Sequence, residues 1–548
     1  EHGQAAMEDC SICLINGSAT GAETLKNLVL PGIGSFTIVD GATVTAADLG
    51  NNFFLDEDSL GKPRAQCVTE MLMELNEHVS GSYITDEISE VLASRPEFLH
   101  AFTLVIATQM VQADLKRVSA ICAARKLPLI VLHTYGFLGY LRLDLGEHQV
   151  VESHPDHPFP DLRILHPPAA LRALISSKYA DLAALSTHDF SHTPWVVLLI
   201  KAVDAWKEAN SGALPSAYKQ KKEVKAIIES YRRSDIQADV NIEEALAAVN
   251  TALNTPSPSS SVSAILRVAR SKVSAMVAEQ QQSQMTNEEE GGTTSSSVGT
   301  RKGELAFWVM AAATQSFVEQ EAGGLLPLVG TIPDMTADTA TYVALQQLYA
   351  QQAAIDLAAV QAHAREIASA EGINPDPVST DELKRFCKNA HSIQLFAYHS
   401  LAEEYGGGEA SEKLAGALSS SLSSGDAASA ASLYLLLRAA QYFRVDSSRW
   451  PGSEDDCAQD VAPLKRYLTE AVKDIGMSNS SNGSSSPVPD DLVAEFCRWG
   501  GAEMHAIASV MGGIASQEAI KAATHQYVPL NNTFIFNGAT GTTATLEL

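Results

Sequence analysis

The feature that most constrains the fold of this chain is a short glycine-containing turn near its N-terminus. The turn, residues 16–21, separates a largely apolar run at 10–15 from a stretch of helical periodicity at 22–30, and its glycines are Gly17 and Gly21. In nucleotide-binding α/β domains, a turn in this position lets backbone N–H groups at a helix N-terminus approach a phosphate. The pattern therefore predicts the first strand, turn and helix of an α/β domain.

Strand and helix patterns continue to alternate up to residue 166. Short apolar runs predict strands, and a 3.6-residue period predicts helices. Strands are predicted at 11–15, 35–39, 103–107, 129–132 and 137–143, and helices at 22–30, 60–78 and 113–125. This βαβ alternation predicts a Rossmann-like, mostly parallel sheet that is covered by helices on both faces.

Beyond residue 166 the sequence pattern becomes mainly helical, and after residue 489 it returns to a mixture of strand and helix patterns. Residues 167–489 are rich in Ala, Leu, Gln, Glu and Lys with recurring helical periodicity, whereas 490–548 return to a mixed pattern with strands predicted at 527–530, 533–536 and 543–548. We therefore predict an α/β domain, formed by residues 1–166 and 490–548, that is split by a mainly α-helical insertion at 167–489.

Two further features concern local structure. A helical stretch at 493–524 contains Gly512 and Gly513, which predict that another element packs closely against it. Stretches rich in Ser, Gln, Gly and Glu, at 255–263, 280–300 and 478–486, are predicted to be exposed loops. They contain too little apolar area to offset the entropy lost on ordering.

The composition narrows the range of partners and compartments. The chain has 38 basic and 65 acidic residues and a net charge of −27, which disfavours binding to nucleic acid or to an anionic membrane surface. No apolar run reaches the ~18–20 residues that a membrane span needs. Seven scattered cysteines, an odd number, predict reduced thiols and hence a location in the cytoplasm or nucleus.

The residues of the turn do not by themselves decide whether it binds a ligand. Ser18 and Thr20 lie between its two glycines, and their side chains obstruct the backbone approach that a pyrophosphate needs, so a turn without a ligand is one interpretation. Asp40, at the end of the second predicted strand, could hold a ribose hydroxyl or cap a turn. Gly17, Gly21 and Asp40 would fit an NAD(P)-dependent oxidoreductase, but nothing downstream supplies a site for hydride transfer.

Motifs from both ends of the chain resemble one family. They are Gly21-Ala-Glu23, Lys26-Asn-Leu28, Gly32-Ile-Gly34, Asp40, Leu60-Gly-Lys62, Gly512-Gly513, Gln517-Glu518-Ala-Ile-Lys521 and Leu530-Asn-Asn532. With them the chain resembles the adenylation domain of ubiquitin-like modifier activating enzymes of the ThiF family. Further motifs at 51–55, 133–136, 330–335 and 400–406 resemble, more specifically, the regulatory subunits of heterodimeric Nedd/Rub-type activating enzymes, the auxin-resistance protein family of plants.

The resemblance implies a reaction in which ATP, with Mg²⁺, adenylates the C-terminal glycine of a modifier, which is then captured as a cysteine thioester. It also implies that this chain has lost residues needed for that reaction. Catalytic relatives have a second acidic residue, a phosphate-facing Arg and a metal-binding Asp where this chain has Ala42, Asn51 and Thr108 (or Gln109). Without the Arg and the metal carboxylate, adenylation is not expected.

The residues that keep their type, Gly17, Gly21, Asp40 and Lys62, are therefore interpreted as a degenerate nucleotide pocket. The resemblance implies a pseudo-adenylation domain with no cofactor of its own, and places ATP and Mg²⁺ on a partner subunit.

No catalytic residue and no metal site is predicted in this chain. Relatives that carry the thioester nucleophile usually follow it with Thr, whereas Cys387, Cys457 and Cys497 are followed by Lys, Ala and Arg. Cys10 and Cys13 form a C-x-x-C pattern, but their odd separation along a strand directs them to opposite faces of the sheet.

The resemblance thus implies a non-catalytic regulatory subunit, paired with a catalytic activating subunit, that acts on a Nedd/Rub-type modifier and serves a conjugating enzyme through the complex. The best candidate for contact with that partner is Gly330-Thr331-Ile332-Pro333-Asp334-Met335 together with Asp338, although a tight structural turn is the alternative because Gly and Pro punctuate it. Rival hypotheses are a stand-alone ATP-dependent adenylating enzyme, an NAD(P)-dependent oxidoreductase, and a scaffold unrelated to conjugation.

Overall fold

The computed structural model describes residues 2–156, 161–236, 239–254, 257–290, 297–374, 376, 378–404, 409–422, 428–453, 457–477 and 487–548. The chain forms two compact units. Unit 1 is built mainly from Glu1–His148 and Leu395–Leu548, and unit 2 mainly from Gln149–Thr293 and Arg301–Gln394. Each unit has its own apolar core.

The strands are β1 (Ser11–Ile15), β2 (Ser35–Val39), β3 (Ser80–Ile84), β4 (Leu104–Thr108), β5 (Leu129–Tyr135), β6 (Leu138–Asp144), β7 (Glu147–Val150), β8 (Gln394–Ala397), β9 (Thr533–Asn537) and β10 (Thr542–Leu546). The helices up to residue 252 are α1 (His2–Glu8), α2 (Ala19–Val29), α3 (Ala46–Leu49), α4 (Arg64–Met73), α5 (Ile88–Ser94), α6 (Gln112–Arg125), α7 (Ala169–Lys178), α8 (Thr187–Ser191), α9 (Trp195–Ala209), α10 (Tyr218–Glu229) and α11 (Val240–Ala252). The remaining helices are α12 (Ser260–Glu290), α13 (Ser297–Gln320), α14 (Thr339–Glu371), α15 (Thr380–Asn389), α16 (Leu401–Glu404), α17 (Glu409–Leu422), α18 (Ala430–Ser447), α19 (Cys457–Asp474), α20 (Asp490–Trp499) and α21 (His505–Thr524).

Unit 1 is organised around an eight-stranded sheet with the order β10-β9-β6-β5-β4-β1-β2-β3. The strands β3, β2, β1, β4 and β5 run parallel, and β6, β9 and β10 extend the sheet in antiparallel pairs. The predicted Rossmann-like α/β fold with a mostly parallel sheet is therefore confirmed. The split of this domain is also visible, because β9 and β10, from the C-terminal end of the chain, pair next to β6.

The two faces of this sheet are covered by different helices. Alternating side chains of β1 illustrate the division, since Cys13 and Ile15 belong to one apolar cluster and Ile12 and Leu14 to the other. The first cluster contains residues of α6, α18, α19 and α20, and the second contains residues of α2, α4 and α21. Cys10 belongs to the second cluster and Cys13 to the first, as the strand geometry predicted.

Helices α2 and α21 pack closely against each other, which explains one of the two adjacent glycines in α21. A Cβ atom at Gly512 would lie 2.9 Å from backbone atoms of Glu23 and Thr24 in α2, whereas a Cβ at Gly513 would meet nothing within 4 Å. The predicted close approach is therefore confirmed for Gly512 and is wrong for Gly513.

Unit 2 is helical, and its core is formed largely by α7, α9, α10, α11 and α14. Helix α9 is buried on most of its surface, from Trp195 to Trp206, and these buried residues belong to this core. In the described part of the chain, no helix is both long enough and apolar enough to cross a membrane.

The compact units differ from the predicted domain boundaries at 166/167 and 489/490. Residues from 395 onward belong to unit 1 because apolar side chains of α18 and α19, such as Leu435 and Leu468, are buried in the same cluster as strand residues of the sheet. Helical periodicity identifies these helices correctly but does not reveal which core they join.

Some element predictions were wrong. The segment 527–530 is not a strand, because Tyr527 has a φ of +59°, outside the extended region. Strand β3 was missed because its polar residues lack an apolar pattern. Parts of the predicted loops at 255–263 and 280–300 belong to α12, since Gln, Met and Glu are good helix formers. The predicted loop at 478–486 lies outside the described residues.

Candidate functional site

The candidate site lies where β1, β2 and β4 end, at the carboxyl edge of the parallel strands. In open α/β sheets, this edge is where ligands bind. After β1 the chain turns at Asn16, whose φ of +67° is left-handed, and enters α2 at Ala19. The Asn16 amide donates to the Thr108 carbonyl at 2.6 Å, and the Thr108 hydroxyl donates to the Asn16 carbonyl at 2.8 Å. Thr108, which occupies the predicted lost metal position, thus fixes the turn.

Asp40 is almost completely buried, and four donor groups of the chain engage its carboxylate. Its side chain accepts from the backbone N–H groups of Gly17 and Ala42, each at 2.9 Å. Arg64 donates to both carboxyl oxygens, through Nε at 2.7 Å and Nη2 at 3.2 Å. Such two-point pairing is the strongest form of Arg–carboxylate contact. The carboxyl group that could hold a ribose hydroxyl is therefore occupied by Arg64.

Arg64 also donates to Asp48 at 2.9 Å and so sits between two carboxylates. Burial alone would lower the pKa of Arg64, but Asp40 and Asp48 more than reverse this and raise it. Sequence reasoning missed Arg64. A usable signal exists, because Arg64 is the first residue of α4, where the helix dipole disfavours a cation unless a carboxylate compensates.

The N-terminus of α2, where a phosphate would bind in a nucleotide site, faces a carboxylate of the same chain. Glu503 accepts from the Thr20 backbone N–H at 3.1 Å and lies 3.2 Å from the Thr20 hydroxyl oxygen. Asn51, at the predicted lost Arg position, donates its amide to the Glu503 backbone carbonyl at 2.9 Å. Glu503 is 483 residues from Thr20 in sequence and has no local motif that would predict this contact.

Packing within the chain leaves little room for a side chain at either glycine of the turn. A Cβ at Gly21 would lie 2.3 Å from the Asn16 carbonyl oxygen, and a Cβ at Gly17 would lie 3.1 Å from a methyl carbon of Ile38. The Gly17 carbonyl accepts from the Asn52 amide at 3.2 Å. Close approach of the chain to itself is therefore enough to require glycine at Gly21, without a ligand.

The structure brings together Gly17, Gly21, Asp40, Ala42, Asn51 and Thr108 at this edge of the sheet. Lys62 is different, because its side chain is exposed and its backbone carbonyl pairs with Val44 at 2.9 Å. The residues present do not suit ATP and Mg²⁺, since the Glu503 carboxylate faces the position of a phosphate and Thr108 cannot act as a metal carboxylate. The roles assigned to these positions stay predictions.

Two of the three cysteines considered as nucleophiles are poorly suited to form a thioester. Cys387 and Cys497 are buried, and burial raises the pKa of each thiol to about 12. Cys457 is half-buried. A thiol with so high a pKa has almost no thiolate at neutral pH, and the thiolate is the nucleophile.

The segment 330–338 in unit 2 is anchored at its two ends. Gly330 has a φ of +81°, and a Cβ there would lie 2.7 Å from the Ala353 side chain. At the other end, Asp338 caps α14 by accepting from the Thr341 N–H at 2.8 Å and forms an ion pair with Lys178 at 3.4 Å. These contacts support a structural turn.

Between these ends, the segment 330–338 keeps an exposed part. Met335 is buried in the core of unit 2, whereas Thr331 and Asp334 are exposed and Ile332 and Pro333 are partly buried. Contact of this segment with a partner stays a prediction.

Comparisons with known proteins cover the whole chain. Residues 1–548 match the model of the ThiF family. The NEDD8-activating enzyme E1 regulatory subunit of Danio rerio is 38% identical over 553 residues, covering 100% of this chain and 96% of the relative. The subunit of the same name in Drosophila melanogaster is 36% identical, covering 100% and 95%, and the NEDD8-activating enzyme E1 regulatory subunit AXR1 of Arabidopsis thaliana is 35% identical, covering 98% and 92%.

Proposed function

The chain belongs to the ThiF family, and we propose that it is the non-catalytic regulatory subunit of a heterodimeric activating enzyme for a NEDD8-type ubiquitin-like modifier. Its partner is a catalytic subunit that adenylates the C-terminus of the modifier with ATP and forms a thioester on its own cysteine. This first step starts the attachment of the modifier to target proteins.

The main observation behind the proposal is that groups of the chain itself occupy the nucleotide-type pocket. Asp40 is paired with Arg64, and the N-terminus of α2 faces the Glu503 carboxylate rather than a basic or metal-binding group. A second negative charge, on the phosphates of ATP, would be repelled from this position. The full-length similarity to proteins named regulatory subunits supports the same conclusion.

The remaining parts of the proposal concern the partner. ATP and Mg²⁺ bind to the catalytic subunit, and the chain itself holds no cofactor. The conjugating enzyme receives the modifier through the complex, and the complex works in the cytoplasm, the nucleus or both. The pairing explains why a fold would persist without its site, because the interface depends on the surface and core of the domain rather than on its pocket.

The alternative functions lack supporting observations. A stand-alone adenylating enzyme needs cationic groups around the phosphates, but the described pocket offers Asn51 and Thr20 there. An NAD(P)-dependent oxidoreductase needs a carboxylate free to bind the ribose, and both oxygens of Asp40 are engaged by Arg64.

The test is ATP–pyrophosphate exchange with the chain alone, the catalytic subunit alone, and the co-expressed pair, each with the modifier. We expect exchange by the pair and none by the isolated chain. A second sample of the pair, carrying Arg64→Ala in this chain, should keep exchange wherever the two subunits still co-purify. Modifier-dependent exchange by the isolated chain would refute the proposal and favour a stand-alone enzyme.

A further inference from the structure

Polar groups at the start of α2 converge on the side chain of Glu503. The Thr20 backbone N–H donates to Glu503 Oε2 at 3.1 Å, and the Thr20 hydroxyl oxygen lies 3.2 Å from the same atom. The hydroxyls of Thr20 and Thr134 are 2.8 Å apart. If Thr134 donates to Thr20, Thr20 can donate to Glu503, and a chain of hydroxyl donors ends at the carboxylate.

Two further buried polar atoms near the start of α2 have no hydrogen-bond partner among the described residues. Ser18, the residue preceding α2, is 7% exposed, and its hydroxyl has no hydrogen-bond partner among the described residues. The side-chain oxygen of Asn51 is likewise buried and without a partner there, while its amide donates to the Glu503 carbonyl. A buried hydroxyl without a partner is costly unless a ligand or water occupies the space beside it.

These groups form the set of donors that an oxyanion requires. They comprise a backbone N–H and a hydroxyl from Thr20 and the unpartnered hydroxyl of Ser18, at the positive end of the eleven-residue helix α2. Helix N-termini with free donors bind phosphate and carboxylate groups for this reason.

We propose that the start of α2 is a functional oxyanion site whose resident ligand is the carboxylate of Glu503, and that removing this carboxylate opens the site to inorganic phosphate. In the intact chain, Glu503 then has a positioning role. It holds the segment before α21, from the C-terminal part of the chain, against the turn before α2, and so stabilises the split domain without a nucleotide. This inference does not depend on the proposed function.

The experiment measures thermal unfolding and phosphate binding of the full chain with Glu503→Ala. Inorganic phosphate is compared with NaCl at matched ionic strength. We expect the midpoint temperature of Glu503→Ala to be lower than that of the unsubstituted chain in NaCl and to rise by several degrees in phosphate. The midpoint rises because a ligand that binds only the folded state stabilises that state. Titration calorimetry should show that Glu503→Ala binds phosphate at least about tenfold more tightly than the unsubstituted chain does.

The control variant is Asp491→Ala, which removes one negative charge from an exposed position of α20. It should respond to phosphate as the unsubstituted chain does. Adding Thr20→Val to Glu503→Ala removes a hydroxyl donor with little change of volume and should abolish most of the phosphate response. Equal responses in Glu503→Ala and Asp491→Ala, or a full response after Thr20→Val, would overturn the proposal.

If Glu503→Ala does not fold, Glu503→Gln serves in its place. Gln keeps an acceptor for the Thr20 N–H but lacks the charge, so phosphate competes with it. A rise of the midpoint in phosphate larger than that of the unsubstituted chain supports the proposal, and an equal rise contradicts it.

Discussion

The turn at 16–21 in unit 1 and the segment 330–338 in unit 2 are both glycine-containing connections that lead into a helix, yet they use their polar groups differently. Around the first, Asp40, Arg64 and Glu503 are bound to other groups of the same chain. In the second, the two ends, Met335 and Thr336 are bound inside the unit, whereas Thr331 and Asp334 remain exposed. A sequence motif can thus mark a closed structural site in one place and an available surface in another.

This difference has a measurable consequence. Substitutions around the turn at 16–21 should reduce the free energy of unfolding of the isolated chain, because they leave buried groups without partners. Substitutions at the exposed part of 330–338 should leave that free energy nearly unchanged and act on assembly.

The largest loss in the free energy of unfolding is expected for Arg64→Ala. It leaves the buried Asp40 carboxylate without its cation, and breaking a buried pair in this way costs about 3 kcal/mol. Urea unfolding of the isolated chain measures the loss. The control is Arg172→Ala, whose pair with Asp204 is 45% and 41% exposed. It should cost less than about 1 kcal/mol, and equal losses for the two variants would contradict the account.

The adjacent glycines of α21 provide a matched pair. Gly512→Ala places a methyl group against the α2 backbone and should destabilise the chain by about 2 kcal/mol, as overpacking does. Gly513→Ala adds a methyl group in open space and should stabilise the helix by about 0.5–1 kcal/mol. Thermal unfolding of both variants measures these changes in stability. A change of the same sign in both variants would contradict the close packing of α2 against α21 at Gly512.

A smaller loss of stability, which depends on pH, is expected for Asp338→Ala. Loss of the N-cap of α14 should cost about 1 kcal/mol at pH 7. Hydrogen bonding from Thr341, with the charge of Lys178, lowers the pKa of Asp338 to about 2. The stability that this carboxylate adds is therefore fully present above its unfolded pKa of about 4 and is lost as pH falls towards 2.

The measurement is urea unfolding of both chains across this acidic range, in which the difference between the unsubstituted chain and Asp338→Ala should shrink. Asp334→Ala is the control within the same segment, because Asp334 is exposed and its side chain accepts from the neighbouring Met335 N–H rather than capping a helix. A difference that stays constant down to the lowest pH would contradict the role given to the Asp338 carboxylate.

The smallest change in stability is expected for the double substitution Thr331→Lys and Asp334→Lys. Both side chains are exposed, so the free energy of unfolding should change by no more than about 0.5 kcal/mol. If the segment contacts the partner, co-purification of the catalytic subunit should fall at least about tenfold, equivalent to about 1.4 kcal/mol. Thr251→Lys with Glu208→Lys, also exposed in unit 2, is the control, and co-purification equal to that control would exclude the segment from the interface.

The same two regions show what sequence could and could not predict. Strands such as β1 and β4 were predictable because buried parallel strands are continuous apolar runs, and β3 was not because it is a polar edge strand. The positions of Gly17 and Asp40 followed from the order of strands and turns, and the interest in Thr108 followed from the family resemblance. The groups that engage the pocket did not, since Arg64 and Glu503 reach Asp40 and Thr20 across 24 and 483 residues.

The central claim, that the chemistry belongs to the partner, is tested most directly by locating the thioester. The co-expressed pair is supplied with ATP, Mg²⁺ and labelled modifier, using this chain either unsubstituted or with Cys387, Cys457 and Cys497 changed to Ala. Non-reducing electrophoresis then shows which subunit carries the label. We predict a thiol-sensitive bond on the catalytic subunit with both forms of the chain. A thioester on this chain, lost in the variant while the pair stays assembled, would contradict the account.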